Sequence, residues 1–356
     1  MKYLIGIIVL IIYGGLAFYI GWNIKMLLQS FNLYRWRFLY WTIFFILSFA
    51  FIIARLHPSL SFLSLIGNYW MFVLQYGIVL CLIANVLVWL TPLSTKVVGL
   101  SALSIFIVLF AVGTYFAYTP VVRNVTIEID KKGEPMRVVL ASDFHLGYLS
   151  HKGHLENFVK LSNEQNPNLV LLAGDIVDDD PARYIETGMK DVMQQLKATY
   201  GVYGILGNHE YYGNKIDEFV EVMKESNVTI LMDETVELAN GVYLTGQEDL
   251  TNKLRKPLKD LVPANLEAPW FVMNHTPNDL TTPAEIGVDL HVSGHTHKGQ
   301  LWPNHLITER IFDLGYGNKL FNEMHALVSS GYGFWGPPMR IGSQAELWVI
   351  DIRYTE

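Results

Sequence analysis

The first 127 residues contain no aspartate and no glutamate, and this constrains the fold more than any other feature of the 356-residue chain. Within them lie four apolar stretches, 3–22, 38–56, 69–90 and 97–118. Each is close to the roughly 20 residues a helix needs to cross the hydrocarbon core of a bilayer. The only charges in this half are cations: Lys2, Lys25, Arg35, Arg37, Arg55, Lys96 and Arg123. Trp22, Trp36, Trp41, Trp70 and Trp89 sit near the ends of the stretches, as interfacial aromatics do. Soluble helices of this length would carry acids on an exposed face. The expectation is a bundle of about four transmembrane helices in a region spanning 1–122. The first stretch lacks a small-residue cleavage site and three more follow it, so it is read as a retained helix rather than a signal peptide. No intramembrane acid is present to carry protons or cations, which argues against a transporter.

Charge also suggests an orientation. The loop between the first two stretches holds Lys25, Arg35 and Arg37, against Lys2 before them. By the positive-inside rule that loop is cytoplasmic. Four spans then return the chain to the outside, although Arg55, Arg123, Lys131 and Lys132 fall there too. The expectation is a multi-pass cell-membrane protein with an extracytoplasmic second domain, 123–356.

That domain has a different texture. All 33 acids lie from Glu128 onward with 19 of the 26 Lys and Arg, so it is strongly acidic. A long polyanion would be repelled, and no nucleic-acid partner is expected. Short β-rich runs at 125–129, 137–141, 169–173, 202–206, 228–231, 242–245, 270–273, 290–293, 326–329 and 347–352 alternate with helical patterns at 154–165, 182–198, 215–226 and 279–286. This pattern implies an α/β layer domain with two packed sheets flanked by helices and ligands on loops at strand C-termini.

Five of the apolar runs end in a short tag of Asp, Asn or His. The tags are Asp143-Phe144-His145, Gly174-Asp175 with Asp178, Gly207-Asn208-His209-Glu210, Asn274-His275 and Gly294-His295-Thr296-His297. Any one alone reads as a cap or a turn. Together, each behind an apolar run, they point to strand ends converging on a dinuclear metal site. Oxygen and imidazole donors without thiolate favour Mn, Fe, Zn or Mg, and the identity stays open.

The order and spacing of these tags resemble the calcineurin-like metallophosphoesterases over roughly 137–352. The resemblance implies a four-layer α/β/β/α domain. It implies one metal held by Asp143, His145, Asp175 and His297, and a second by Asp175, Asn208, His275 and His295, with Asp175 bridging. By the same resemblance His209 is catalytic, assisting the leaving oxygen, with Asp178 as its orienting partner. Asp179-Asp180 stand where the protein phosphatases of the family carry Arg-Gly, which weakens a phosphoprotein-phosphatase reading. Glu210 stands where Asp is common and is not expected to be a ligand. Lys298 replaces the first glycine of the Gly-Gly-Gln often seen after the last tag. The segment 329–340 is similar to the tail of a membrane-associated bacterial branch.

The implied activity is metal-dependent hydrolysis of a phosphoester, with metal-bound hydroxide as nucleophile and two divalent ions as cofactors. The expected substrate belongs to the membrane or cell envelope, with a lipid-linked phosphoester as one form, and the lipid bilayer is the other partner. Two alternatives stand beside it: a pyrophosphate hydrolase of a nucleotide-linked lipid of the UDP-diacylglucosamine type, and a non-catalytic membrane sensor with a metal-binding domain. Lys152 and Arg340 are candidate substrate contacts, weighed against a solvated loop charge and a structural pairing. Tyr211, Tyr212, Tyr332 and Trp335 are candidates for an apolar wall, with packing as the default.

Overall fold

A computed structural model describes residues 2–57, 60 and 62–355. By contact density the chain divides into two compact units, 1–114 with 336–339, and 115–335 with 340–356. The first strand of the second unit begins at Val121, two residues before the expected boundary.

The first unit is helical: α1 (Lys2–Ser30), α2 (Arg37–Ser48), α3 (Ala50–Ile53), α4 (Leu63–Leu90) and α5 (Thr95–Tyr118), whose last turn belongs to the second unit. Among the described residues three helices, α1, α4 and α5, are long and apolar enough to cross a membrane. Only 17%, 17% and 11% of their apolar windows are buried, so their hydrophobic surface faces outward rather than a protein core. The second apolar stretch differs from a continuous span. It breaks at Phe49 into α2 and α3, and the cause is a contact from α1. The Tyr13 hydroxyl donates to the Ser48 carbonyl. The Ile52 N–H bonds Phe49 O at 3.0 Å instead of reaching back four residues. Ala17, Ile20, Phe44 and Trp70 form the small core where α1, α2 and α4 meet.

The second unit carries twelve strands. In chain order they and their helices are β1 (Val121–Ile129), β2 (Met136–Ala141), α6 (Lys152–Glu164), β3 (Leu169–Leu172), α7 (Ala182–Glu186), α8 (Met189–Met193), β4 (Val202–Gly204), α9 (Asn208–Gly213), α10 (Ile216–Glu225) and β5 (Thr229–Ile230). Then come β6 (Glu234–Glu237), β7 (Tyr243–Gln247), β8 (Trp270–Asn274), α11 (Thr281–Glu285), β9 (Leu290–Ser293), α12 (His305–Ile311), β10 (Gly317–Phe321), β11 (Met324–Val328) and β12 (Glu346–Tyr354). One sheet has the order β1-β12-β2-β3-β4-β5, the other β10-β11-β9-β8-β7-β6.

Within each sheet the central strands run parallel: β2 to β5 in one, and β11, β9, β8 and β7 in the other. Parallel neighbours bring their C-terminal ends to one edge, and those ends carry the five tags. Alternation along β3 assigns its faces. Leu169 and Leu171 join the core between the sheets, with Phe271, Met273 and Val292 opposite. Val170 and Leu172 face the helices, against Phe158, Met193 and Phe219. A third cluster around Trp270 and Val272 lies under the helical and loop cover of the second sheet. These are the four expected layers.

Two strands and two helices have no counterpart in the expected pattern. β6 and β10 are short segments with half or more of their residues exposed and none buried, and no apolar alternation marks them. α9 begins inside a ligand tag, and α12 buries no side chain. The expected helix over 182–198 is two short ones, interrupted at Gly188, whose φ of 65° is left-handed.

The sheets approach closely at Gly246 in β7. A Cβ there would lie 2.2 Å from Leu231 Cβ and 2.9 Å from Ile205 Cγ2. Gly246→Ala is therefore expected to destabilise the domain by about 1–3 kcal/mol, the usual cost of overpacking. Urea unfolding followed by tryptophan fluorescence measures this, and an unchanged midpoint would mean that the sheets are not pinned there.

Candidate metal centre

The five tags meet at the shared strand edge. Asp143, His145 and His297 offer ligand atoms within 4.8 Å of one another, as do Asp175, His275 and His295. A third group among the described residues is His145, Asp178 and His209. Asp175 lies between the first two: its Oδ2 is 3.2 Å from His275 Nε2 and 3.7 Å from His145 Nε2. His297 Nε2 is 3.5 Å from Asp143 Oδ1 and 3.1 Å from His145 Nε2. Asn208 Oδ1 stands 2.8 Å from His295 Nδ1. All nine residues expected in the metal and catalytic set come together; Lys152 and Arg340 do not join them as substrate contacts.

The turns that carry these groups are strained. Asp143, His145, Asp175, His295 and His297 all have φ between 46° and 67°. Non-glycine residues in this left-handed region cost of order 1 kcal/mol each, and persist where the surroundings over-determine them. Here those surroundings are hydrogen bonds to the carboxylates. The His295 N–H donates to both oxygens of Asp143, at 2.9 and 3.1 Å, and the Ser142 hydroxyl donates to Asp143 as well. The His209 N–H donates to Asp175 Oδ1 at 2.9 Å, leaving Oδ2 to face the histidines. At Gly207 a Cβ would lie 2.2 Å from Asp175 Oδ1, so only glycine lets the two turns meet.

Histidine protonation follows from these contacts. Burial holds His145 down to about 3 and His295 to about 4, and pushes His297 well below its ordinary value. All three are neutral and keep lone pairs to donate. The His275 Nδ1 donates to Ala173 O at 2.7 Å, which aims Nε2 at Asp175. Burial opposes charge on His275, but the Asp175 carboxylate outweighs it and raises the pKa well above the ordinary value. Burial likewise opposes charge on His209, yet the hydrogen bond to Asp179 and the charges of Asp175, Asp179 and Asp178 raise it to about 9.

Three expectations about individual residues need correction. The orienting partner of His209 is Asp179, whose Oδ1 takes the Nδ1 proton at 2.6 Å; Asp178 stands off at 3.7 Å and also faces His145 at 3.9 Å. The turn after Val177 swings the second acid of the run under the ring. Arg340 is not a substrate contact. It is fully buried and donates to the carbonyls of Ser330, Gly331 and Gly333 at 2.6, 3.0 and 2.6 Å, with Nη2 3.5 Å from His297 Nδ1. It is a post that holds the 330–334 loop behind His297. Lys152 opens α6, and its amine lies beside Gly188 rather than among the site groups.

Other supports were not legible in the motifs. Glu210 is buried and accepts four backbone N–H groups, from Gly207 at 2.7 Å, Asp175 at 3.2 Å, Ile176 at 2.7 Å and Val177 at 3.1 Å. Burial pushes its pKa up to about 7, with the Asp175 charge adding and these N–H groups opposing. The Thr276 hydroxyl donates to Asp249 at 2.7 Å beside His275. Of the aromatic candidates, Tyr212 and Trp335 are exposed and stand edge-on to the His209 ring at 5.4 and 6.4 Å, while Tyr332 is core. Tyr211 is half-buried against the same helical-face core.

A calcineurin-like phosphoesterase family model matches residues 136–299. A metallophosphoesterase of Campylobacter jejuni is 30% identical over 271 residues, 72% of this chain and 69% of that protein. One from Helicobacter pylori is 31% identical over 240 residues, covering 65% and 64% of the two chains. A transmembrane protein with a metallophosphoesterase domain from Danio rerio is 30% identical over 259 residues, 67% of this chain and 58% of its own length. The chain belongs to the calcineurin-like metallophosphoesterases, hydrolases of phosphoric esters. Membership implies two divalent metal ions, and the residues present fit them. Two buried carboxylates and four imidazoles converge, and among the described residues the buried His145 Nδ1 and His275 Nε2 have no aligned hydrogen-bond partner.

Glu210→Ala would strand four buried N–H groups. It should lower unfolding free energy by about 3 kcal/mol or more and reduce bound metal with it. Unfolding curves and elemental analysis of the same samples check this. Full metal content in a destabilised Glu210→Ala would show that the clamp serves the fold alone.

Proposed function

We propose that this domain hydrolyses a phosphoester in one step at a two-metal centre. Asp143, His145, Asp175 and His297 would hold one ion, and Asp175, Asn208, His275 and His295 the other. The observation that carries the reading is the Asp175 Oδ2, within 3.2 and 3.7 Å of a histidine from each set. Two divalent ions so held supply Lewis acidity and make a nucleophile from water at neutral pH. The chain's own residues do the rest. His209 donates a proton to the departing oxygen, and its elevated pKa keeps that proton available at neutral pH. Asp179 holds the ring and stabilises its charge through Nδ1, so the opposite nitrogen serves the substrate. Asp178, within 4 Å of both His145 and His209, adds negative charge that favours the protonated ring.

The same geometry supports a substrate with an apolar portion. Tyr212 and Trp335 offer exposed aromatic surface beside His209, and Tyr148 is exposed in the loop after His145. Only Thr119 and Pro120 separate the last apolar helix from β1. A membrane or cell-envelope phosphodiester fits both observations.

Two variants test the chemistry together. Asp175→Asn should abolish turnover and lower occupancy of both metals, whereas His209→Ala should keep its metals and lose ~10²–10⁴-fold in rate. That loss should be greatest for esters with basic leaving groups and smallest for nitrophenolate. Turnover of matched esters and metal analysis give the answer. An equal loss for every leaving group would remove the acid role, and lost metal in His209→Ala would make it a ligand.

We also propose that the domain faces away from the cytoplasm, from the cationic loop between the first two apolar stretches and from a fourth crossing made by the broken pair α2–α3 beside α1, α4 and α5. Protease added to intact spheroplasts should cut the exposed loop at Tyr148. Cleavage only after lysis would reverse the topology and move the substrates to the cytoplasm.

A further inference from the structure

Lys298 directly follows the ligand candidate His297, in a backbone conformation that suits glycine. Its φ and ψ are 51° and 38°, left-handed. A lysine there is strained, and strain retained beside a functional site invites a functional explanation. Its side chain turns away from the metal donors. The ammonium lies 4.2 Å over the Tyr316 ring and, among the described residues, pairs with no carboxylate. The ring contact accounts for where the ammonium rests. It does not account for a charged residue where glycine is easier.

The ammonium faces a polar cavity of about 260 Å³. Arg123 of β1 is the second cation on its wall, and Phe116, in the last turn of α5, is on the wall too. Among the described residues Arg123 bonds through Nε alone, at 3.1 Å to Glu346, which leaves both terminal nitrogens open, and the side chain is 43% exposed. Glu346 itself is fully committed. It is buried and also accepts from the Tyr316 hydroxyl, the Ser330 N–H and the Trp348 indole N–H, at 3.0, 3.0 and 2.8 Å. Its charge offsets that of Arg123, and Lys298 is left as a net positive charge in a concave site. Two convergent cationic donors with spare N–H groups suit the several acceptor oxygens of a phosphoryl group.

We propose that this cavity is a second anion site that binds a phosphoryl group through Lys298 and the terminal nitrogens of Arg123. It is separate from the metal centre: Arg340 and the Ser330–Gly331 backbone stand between it and His297. Phe116 lies in the last turn of a helix apolar enough to cross a membrane, so the phosphoryl group can belong to a lipid headgroup or arrive as free phosphate.

The test uses the full-length chain in detergent carrying Asp175→Asn, which silences the metal centre, and compares it with the unmodified chain. The probes are inorganic phosphate, dihexanoyl phosphatidic acid and uncharged dihexanoylglycerol, measured by equilibrium binding. Saturable binding of the two phosphates is expected to survive Asp175→Asn and to weaken about tenfold with Lys298→Gln, the loss of one charge-assisted contact. Lys298→Gly should fold at least as stably, because glycine relieves the turn, yet lose the same binding. Arg123→Gln should weaken binding as well, but it leaves Glu346 buried without its cation, so the two lysine variants decide the matter. Tighter binding of the phosphatidic acid than of phosphate assigns the site to a headgroup, and equal binding assigns it to free phosphate. Absence of saturable binding, binding unchanged in both lysine variants, or equal binding of dihexanoylglycerol would overturn the proposal. Failure of the two-metal reading would leave phosphate binding here intact, so the two ideas fail separately.

Discussion

Four backbone N–H groups converge on one buried carboxylate, that of Glu210, and the site depends on this clamp. It ties the turn after β3, where Asp175 sits, to the turn at Gly207 that leads into α9 with its Asn208 and His209. Neither turn is otherwise regular, and both would expose unpaired donors inside the domain. With the clamp closed, the His209 N–H reaches Asp175 Oδ1, and Oδ2 is left to the two histidine sets. A similar bond closes the other side, where the His295 N–H binds Asp143. The carboxylates are thus oriented by backbone donors before any cation arrives, so little reorganisation is needed on binding.

Such an arrangement carries a cost that the fold offsets elsewhere. Five donor residues are left-handed at the strand ends, and several like-charged or unpaired groups share a dry space. The two sheets supply the compensation. Their facing sides, from Leu169 and Leu171 to Phe271 and Met273, bury a continuous apolar layer beneath the turns. A centre that lacked its ions would keep opposing demands unsettled: His275 held charged by Asp175, and His145 and His297 held neutral by burial. Divalent ions resolve both, which is why the donor set reads as a metal centre rather than a hydrogen-bond network.

Much of this was open to inspection in the chain. The five tags, each behind an apolar run, marked the strand ends, and alternation in 169–172 assigned the faces of β3. The acid-free first half announced apolar helices, because no soluble surface can be built without charge at that length. What escaped were β6 and β10, which show no apolar alternation, and α12, whose Leu306, Ile307 and Ile311 are exposed; their place is set by neighbours. The break at Phe49 escaped for a different reason: it arises from a hydroxyl on another helix, Tyr13, and no local pattern reports it.

The sequence by itself determined which residue types could hold metal and where strands must end, since those follow from local periodicity and donor chemistry. It could not rank Asp178 against Asp179, because the choice rests on how the turn after Val177 places each carboxylate relative to His209, 30 residues away. Nor could it tell that Arg340 spends its donors on the carbonyls of its own loop, or that Glu210 serves four N–H groups from two turns. Those roles are decided by hydrogen bonds between segments distant in sequence, and only the tertiary structure brings their partners within reach.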